Sequence, residues 1–314
     1  MPAVEGLVNF DPDKELPSLE GKVIFITGGT AGLGRNSILK LAKHSPAHIY
    51  FSGRNASAGK TLISEVQKEY PDVLVTFVEV DLSSLASVKT AATSVANTLD
   101  RLDILMCNAG IMATPPGLSK DGFEIQFAVN HLGHAMLINV LLPVLERTTK
   151  FPGTDVRLII LTSVGYQFHP KGGVAYDKVR TTQDTIFGSW IRYGQSKLAN
   201  IAYAAELARR YPDILTVSVH PGVVETGLVT DLTFWKRSLV YVGNFVLGVS
   251  LMDPEKGCYS QVWTVAGTTR DKMENGGFYM PIGVLASEKL DKTARSENVG
   301  GELWTWTQDV LAKV

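Results

Sequence analysis

A chain of 314 residues has room for one large domain or two ordinary ones, and can bury about 75% of its unfolded surface without disulfide or metal staples. Its 30 Lys and Arg are balanced by 31 Asp and Glu, for a formal net charge of −1. No arginine-rich tract or zinc-ligand spacing interrupts this balance, so nucleic acid is excluded as a partner and no metal site is expected.

The N-terminal stretch MPAVEGLVNFDPDKELPS is acidic, carries proline and lacks an apolar core, so it does not read as a signal peptide. Cys107 and Cys258 are too few and too far apart for a disulfide framework, which favours a reducing compartment. Together these predict a cytoplasmic protein. Short apolar runs over residues 23–27, 48–53, 73–80, 103–107, 156–161 and 215–220 read as strands. Helical patterns fall between them at residues 34–44, 54–70, 84–98, 121–148 and 192–211. Buried strands alternating with helices predict an α/β fold: one doubly wound, mostly parallel sheet with helices on both faces, in a single Rossmann-type domain over 1–314. The longest apolar stretch, residues 239–252, is too short and polar to span a bilayer, so no integral membrane segment is expected.

In such sheets ligands bind beyond the carboxyl ends of the strands, so the residues after each strand carry the functional reading. After the first stands Thr27-Gly28-Gly29-Thr30-Ala31-Gly32-Leu33-Gly34, a glycine-dense turn opening a helix. Glycine lets the backbone approach a pyrophosphate, and the helix N-terminus offers unpaired N–H groups to it. An NAD site places an acidic residue about 20 residues beyond such glycines. Here Arg54 occupies that place, and no acidic residue occurs from Arg35 to Ser64. A guanidinium suits the 2′-phosphate of NADP(H), and Arg35 can add to it. After the third strand, Asp81 can accept from the adenine amino group and Leu82 can pack on the ring; Asp81 can equally cap the next helix. After the fourth stand Asn108-Ala109-Gly110, small enough to admit the cofactor backbone, with the Asn amide fixing the loop. After the sixth, His220-Pro221-Gly222-Val223-Val224-Glu225-Thr226 turns the chain so that Pro221, Gly222 and Val223 can grip a carboxamide, with Thr226 bonding it or a phosphate.

The chemistry is expected at Tyr193-Gly194-Gln195-Ser196-Lys197. Tyrosine and lysine four apart share one helix face. A neighbouring ammonium favours the phenolate and lowers its pKa toward the working range of a general acid/base. Lys197 can also donate to the nicotinamide ribose. Tyr166 and Tyr176 have no lysine four residues on, and His131 and His134 lack the carboxylate or cysteine that would complete a metal set.

The spacing TGxxxGxG, the Asn-Ala-Gly turn and YxxxK, in this order, resemble the classical short-chain dehydrogenase/reductase family over residues 21–283, with Cys107 replacing the usual leading Asn of the second motif. The strings VNHLGH, YGQSKLAN and HPGVVET are most similar to retinol-dehydrogenase-like and WW-domain-oxidoreductase-like members. The resemblance implies a tetrad of Asn130, Ser163, Tyr193 and Lys197, in which Ser163 bonds the substrate oxygen and Asn130 holds a helix kink and a water leading to the lysine. It also implies a substrate lid over residues 227–252, a segment whose apolar and aromatic residues would equally suit an ordinary core helix; in the C-terminal extension over 284–314, Trp304 and Trp306 are expected to cover an interface or the lid. The interval of 30 residues from Ser163 to Tyr193 contains a long insertion with Phe168, His169, Tyr176 and Trp190, expected as a second wall of the cleft. The expected protein is an NADP(H)-dependent alcohol dehydrogenase or carbonyl reductase for a small apolar alcohol or carbonyl substrate, able to form a homodimer. A non-catalytic NADP(H)-binding regulator and an epimerase or dehydratase of the family's extended branch are the alternatives; the first would not need Tyr193 with Lys197, and the second usually shows TGxxGxxG.

Overall fold

A computed structural model of the chain describes residues 8–222 and 256–314. The six expected strands form within one residue of their expected ends: β1 (Val23–Thr27), β2 (His48–Gly53), β3 (Leu74–Glu79), β4 (Ile104–Cys107), β5 (Arg157–Leu161) and β6 (Leu215–Val219). Two more, β7 (Phe278–Met280) and β8 (Val284–Leu285), widen the sheet. Runs of three and two residues are too short to show a period in the sequence. The order is β3-β2-β1-β4-β5-β6-β7-β8, parallel except for the antiparallel β7–β8 pair.

Burial on both faces explains why the strands read as continuous apolar runs. Ile24 and Ile26 enter one core layer with Ile38 and Leu41 of α1 (Gly32–Ala42) and Leu62 and Val66 of α2 (Ala56–Glu69). Phe25, between them, enters the other layer with Val88 of α3 (Leu85–Ala96), Leu141 of α4 (Gly133–Thr148) and Leu207 of α5 (Gly188–Arg210). The chain runs outward from β1 to β3, then returns to β4 on the other side of β1. That reversal opens the sheet's carboxyl edge between β1 and β4.

The helical region expected over residues 121–148, with a kink at Asn130, begins only at Ile125 and widens around Asn130. A short turn at Ile125–Phe127 passes into a π-helical turn, Ala128–Leu132, before α4 begins. A widened turn of this kind re-aims side chains within a helix and is common at functional sites. This run, Ile125–Thr148, is apolar and long enough to cross a membrane, yet 78% of its apolar window is buried inside the fold, as in a core helix.

Trp304 and Trp306 lie on α6 (Glu297–Leu311), whose first turn is capped by Ser296 accepting from Val299 N. They cover neighbouring helical segments: Trp304 stacks on Tyr203 of α5 at 5.3 Å, and Trp306 meets Phe127 edge-on at 5.9 Å. Thr307 Oγ1 bonds His131 Nε2 at 3.1 Å. His131 and His134 are thus buried packing residues, each neutral because burial pulls its pKa down to about 3 and about 4 respectively. Leu303 is fully buried at the α5–α6 contact. Leu303→Ala is expected to destabilise the protein by about 2–5 kcal/mol, read from the urea midpoint at unchanged slope. A loss under about 1 kcal/mol would show α6 to be a loosely docked tail.

Candidate active site

The glycine turn follows β1 at the sheet's opening, as the sequence predicts. Gly28 adopts φ +68°, and a Cβ on Gly34 would collide with Gly28 O and lie 2.6 Å from Asn108 Nδ2. No side chain fits there, so the first turn of α1 lies directly over the strand end. Its N-cap is Ala31, which has no side-chain acceptor, so the first amides of α1 stay available to an anion. Gly28, Thr30, Gly32, Leu33, Arg54, Asp81, Leu82, Asn108, Ala109 and Gly110 line one cleft of about 600 Å³. Thr27 and Gly34 stand behind its wall.

A network of buried side chains holds the cleft floor. Thr27 Oγ1 accepts from Asn108 N and Ala109 N, both at 2.9 Å, while Asn108 Nδ2 donates to Thr27 O at 2.7 Å. With both lone pairs used, the Thr27 hydroxyl donates to His134 Nε2 at 2.9 Å. The neutral imidazole then carries its proton on Nδ1 and donates to Asn130 O at 3.0 Å. Gln261, absent from the sequence reading, donates to Asn108 Oδ1 at 3.0 Å and to Ser37 Oγ of α1 at 2.8 Å. Its single-letter pattern carries no signal, because the contact crosses 153 residues of chain.

At the far end the two arginines part company. Arg54 is exposed at the cleft rim, with no ion pair to another described residue. Arg35 pairs instead with Glu65 of α2 and does not line the cleft. Glu65 lies just past the acid-free window that made Arg35 look available. Asp81 accepts from Ser83 N and Ser83 Oγ and pairs with Lys120 at 2.9 Å. Burial opposes its charge, but these bonds outweigh it and bring the carboxyl down to about 2. The residue that caps α3 is Ser84, which accepts from Ser87 N.

The expected tetrad comes together beside the cleft. Asn130, in the π-turn, accepts from Ile111 N at 2.8 Å and donates to Ile111 O and Ser196 Oγ, both at 2.9 Å. Lys197 Nζ donates to Leu161 O at 3.2 Å and lies 5.7 Å from the Tyr193 ring centre. A Cβ on Gly110 would stand 3.2 Å from Asn130 Oδ1 and 3.5 Å from Lys197 Nζ, so the cleft edge touches the tetrad. Ser163 ends the extended segment after β5 and accepts from Gly165 N at 3.1 Å. Gly165 is a second residue the sequence reading passes over: a Cβ there would lie 2.9 Å from Tyr193 Cε1. Its lack of a side chain makes room for the phenol ring.

The electrostatics differ from expectation. Burial pushes the Tyr193 phenol up to about 12, and its hydrogen bond with Ser163 offsets only part of that. Burial also pulls the Lys197 ammonium down to about 8. In a pocket that desolvates both groups, the ammonium does not bring the phenol toward neutrality. Near pH 7 the phenol is therefore protonated, and the ammonium largely keeps its charge. Cys107 is fully buried with its thiol pushed far up, an inert strand-end group. Pro221 and Gly222, half-buried after β6, are in place, with Gly222 at φ +98°. Val223, Thr226 and the expected lid over 227–252 lie outside the described residues. Among the described residues no group of three or more His, Cys, Asp or Glu is placed to hold a metal ion.

The family model for short chain dehydrogenases matches residues 22–177. The short-chain dehydrogenase/reductase drtF of Aspergillus calidoustus is 35% identical over 311 residues, covering 95% of this chain and 96% of the relative. A solved structure of an uncharacterized protein from Mycobacterium paratuberculosis superposes with a TM-score of 0.72 at 24% identity, covering 96% of this chain and 97% of that one. The NADPH-bound carbonyl reductase from chicken fatty liver superposes at 0.61 and 18% identity, covering 83% and 97%, a likeness of fold. This chain therefore belongs to the short-chain dehydrogenase/reductase family of oxidoreductases.

Proposed function

We propose that the protein is an NADP(H)-dependent oxidoreductase that interconverts an apolar alcohol with its ketone or aldehyde, with Tyr193 as the general acid/base. The observation that carries this reading is the buried, protonated Tyr193 phenol, bonded to Ser163 and one helical turn from Lys197, at the edge of a cleft built for a dinucleotide. The cleft passes a test of fit. The Gly28–Gly34 contact leaves room only for backbone, and the uncapped N-terminus of α1 lines the cleft at Gly32 and Leu33. Arg54 offers an exposed guanidinium where an NAD enzyme would carry a carboxylate. When bound, the dinucleotide supplies the hydride, with Arg54 holding its 2′-phosphate, α1 its pyrophosphate, and Lys197 with the Asn108–Gly110 turn its nicotinamide side.

In the reductive direction Tyr193 gives its proton to the substrate oxygen, and Ser163 orients that oxygen. A phenol pushed up to about 12 is fully loaded for this donation at neutral pH. Lys197 adds positive charge beside the phenolate that results. Asn130, fixed at both Ile111 and Ser196, keeps this end of the helix from sliding. The reading of an apolar substrate rests on the insertion. Phe168, Ile186 and Phe187 are exposed at 57%, 87% and 73%, around the first turn of α5 that leads to Tyr193. Phe168 packs against Trp190 at 6.3 Å. Exposed apolar side chains gathered in one segment are the kind of surface on which an apolar ligand docks.

Three outcomes test the reading. Tyr193→Phe should lower kcat by about 10²–10⁴-fold and leave NADPH affinity nearly unchanged; turnover at the wild-type rate would remove Tyr193 as the acid. Arg54→Asp should cost about 1.5–3 kcal/mol of NADPH affinity and shift preference toward NADH, measured by fluorescence titration. Equal wild-type affinity for the two cofactors would defeat the assignment of Arg54. Replacing Phe168 and Phe187 together by Ala should raise KM for decanal or acetophenone on the order of tenfold, since about 1.4 kcal/mol of apolar contact is a factor of ten. An unaltered KM with a lower melting temperature would make those rings structural.

A further inference from the structure

Arg192 immediately precedes Tyr193, and its side chain is almost completely buried. A buried guanidinium requires both a counter-charge and carbonyl acceptors. Glu124 supplies the charge, with Oε1 3.0 Å from Arg192 Nε. The acceptors come from two different loops. Nη1 donates to Gln183 O at 2.9 Å, in the insertion, and Nη2 donates to Thr114 O at 3.0 Å, in the loop after β4. Glu124 reinforces the join, since its own N–H donates to Val179 O at 2.7 Å. Gln126 runs parallel to it: its Oε1 accepts from Ala113 N at 2.8 Å and its Nε2 donates to Ser189 O at 3.0 Å.

The two loops held in this way are where the backbone is strained. Among the described residues four non-glycines adopt positive φ: Ser45, Ala113, Gln183 and Phe187. Two of them, Ala113 at +51° and Gln183 at +47°, adjoin or contain the Arg192 acceptors, and Phe187 at +66° stands at the N-terminus of α5. Each such conformation costs energy and persists only where its surroundings over-determine it. Thr114 itself lines the dinucleotide cleft, and its buried Oγ1 has no protein partner among the described residues. The same arginine therefore ties the cleft wall, the aromatic insertion and the first turn of α5 into one unit.

We propose that Arg192 is a positioning residue: its Glu124-paired guanidinium clamps the loops at Thr114 and Gln183 against α5, and so sets where Tyr193 stands relative to the cleft. This rests on the reading of Tyr193 as the proton donor. The requirement is geometric, because about 1 Å of misplacement at a reacting group costs on the order of 10²-fold in rate.

The test separates clamping from folding. Arg192→Met leaves Glu124 buried without a counter-charge, so it is expected to lower the melting temperature. The double variant Glu124→Gln with Arg192→Met removes both charges, and is expected to recover most of that loss, because neutral replacement of a buried pair is often tolerated. In the double variant at near-wild-type melting temperature, amide hydrogen exchange should quicken in residues 111–118 and 180–188 and stay unchanged in the central strands. Its kcat, followed by NADPH consumption with decanal, acetophenone and cyclohexanone, should remain about 10- to 100-fold below wild type. Arg192→Lys, which keeps the charge but replaces the planar fork of donors by a single ammonium, should restore part of it. Wild-type exchange in both segments, or wild-type kcat in the double variant, overturns the proposal. Tyr193→Phe run beside it keeps the two readings apart: undiminished turnover there defeats the role of Tyr193, and the exchange measurement alone then decides the clamp.

Discussion

The hydroxyl of Thr27 closes the gap that the sheet's reversal opens. β1 and β4 pair as far as Ile26 and Met106, and beyond that point the two chains turn away from each other. There Asn108 N reaches only Met106 O of its own strand at 3.1 Å, and Ala109 N has no strand partner among the described residues. Thr27 Oγ1 accepts both, and Asn108 returns a bond to Thr27 O. Amides withdrawn from water without a partner are costly, so this single hydroxyl steadies the floor of the cleft. The rest follows from its third bond. By donating to His134 it fixes the imidazole tautomer, which in turn ties down the Asn130 carbonyl in the π-turn. The cleft floor and the Tyr193–Lys197 helix are thereby linked through Asn130 and Ser196.

Burial is the second organising influence, and it acts on the site in two ways. It makes every polar contact exclusive, because a desolvated donor or acceptor must be satisfied within the protein. It also decides protonation. Tyr193 and Lys197 are both driven toward their neutral forms, the phenol up to about 12 and the ammonium down to about 8. A pair considered only as neighbours on a helix would be expected to help each other ionise. The pocket reverses that for the phenol, because its desolvation outweighs the attraction of a charge held 5.7 Å from the ring centre and bound to Leu161 O.

The arginines show how the same side chain is assigned different work by what lies opposite. Arg35 meets Glu65 and is neutralised at the surface. Arg54 meets no described carboxylate and faces the cleft. Arg192 meets Glu124 inside the protein, and its remaining donors reach two loops. Screening makes the first pair worth little, whereas breaking a buried pair is severe because it strands a charge.

Local chemistry was enough for much of this. Apart from the edge strand β3, the expected strands are buried on both faces, so their short apolar runs announce a parallel sheet without reference to partners. The Thr27–Gly34 turn, Asn108–Gly110 and Tyr193–Lys197 are legible because each function needs neighbouring residues of particular types at a set spacing. Contacts between distant segments leave no such trace. The Thr27–His134 bond spans 107 residues, Gln261–Asn108 spans 153, and the docking of α6 on α5 depends on Trp304 and Trp306 meeting rings about 100 and 180 residues earlier. The π-turn at Ala128–Leu132 and the pairing of Arg35 with Glu65 were likewise settled only in three dimensions. Periodicity and motif spacing describe one stretch of chain at a time. Which partner a buried polar group finds, and hence its charge, depends on segments that only the folded topology brings together.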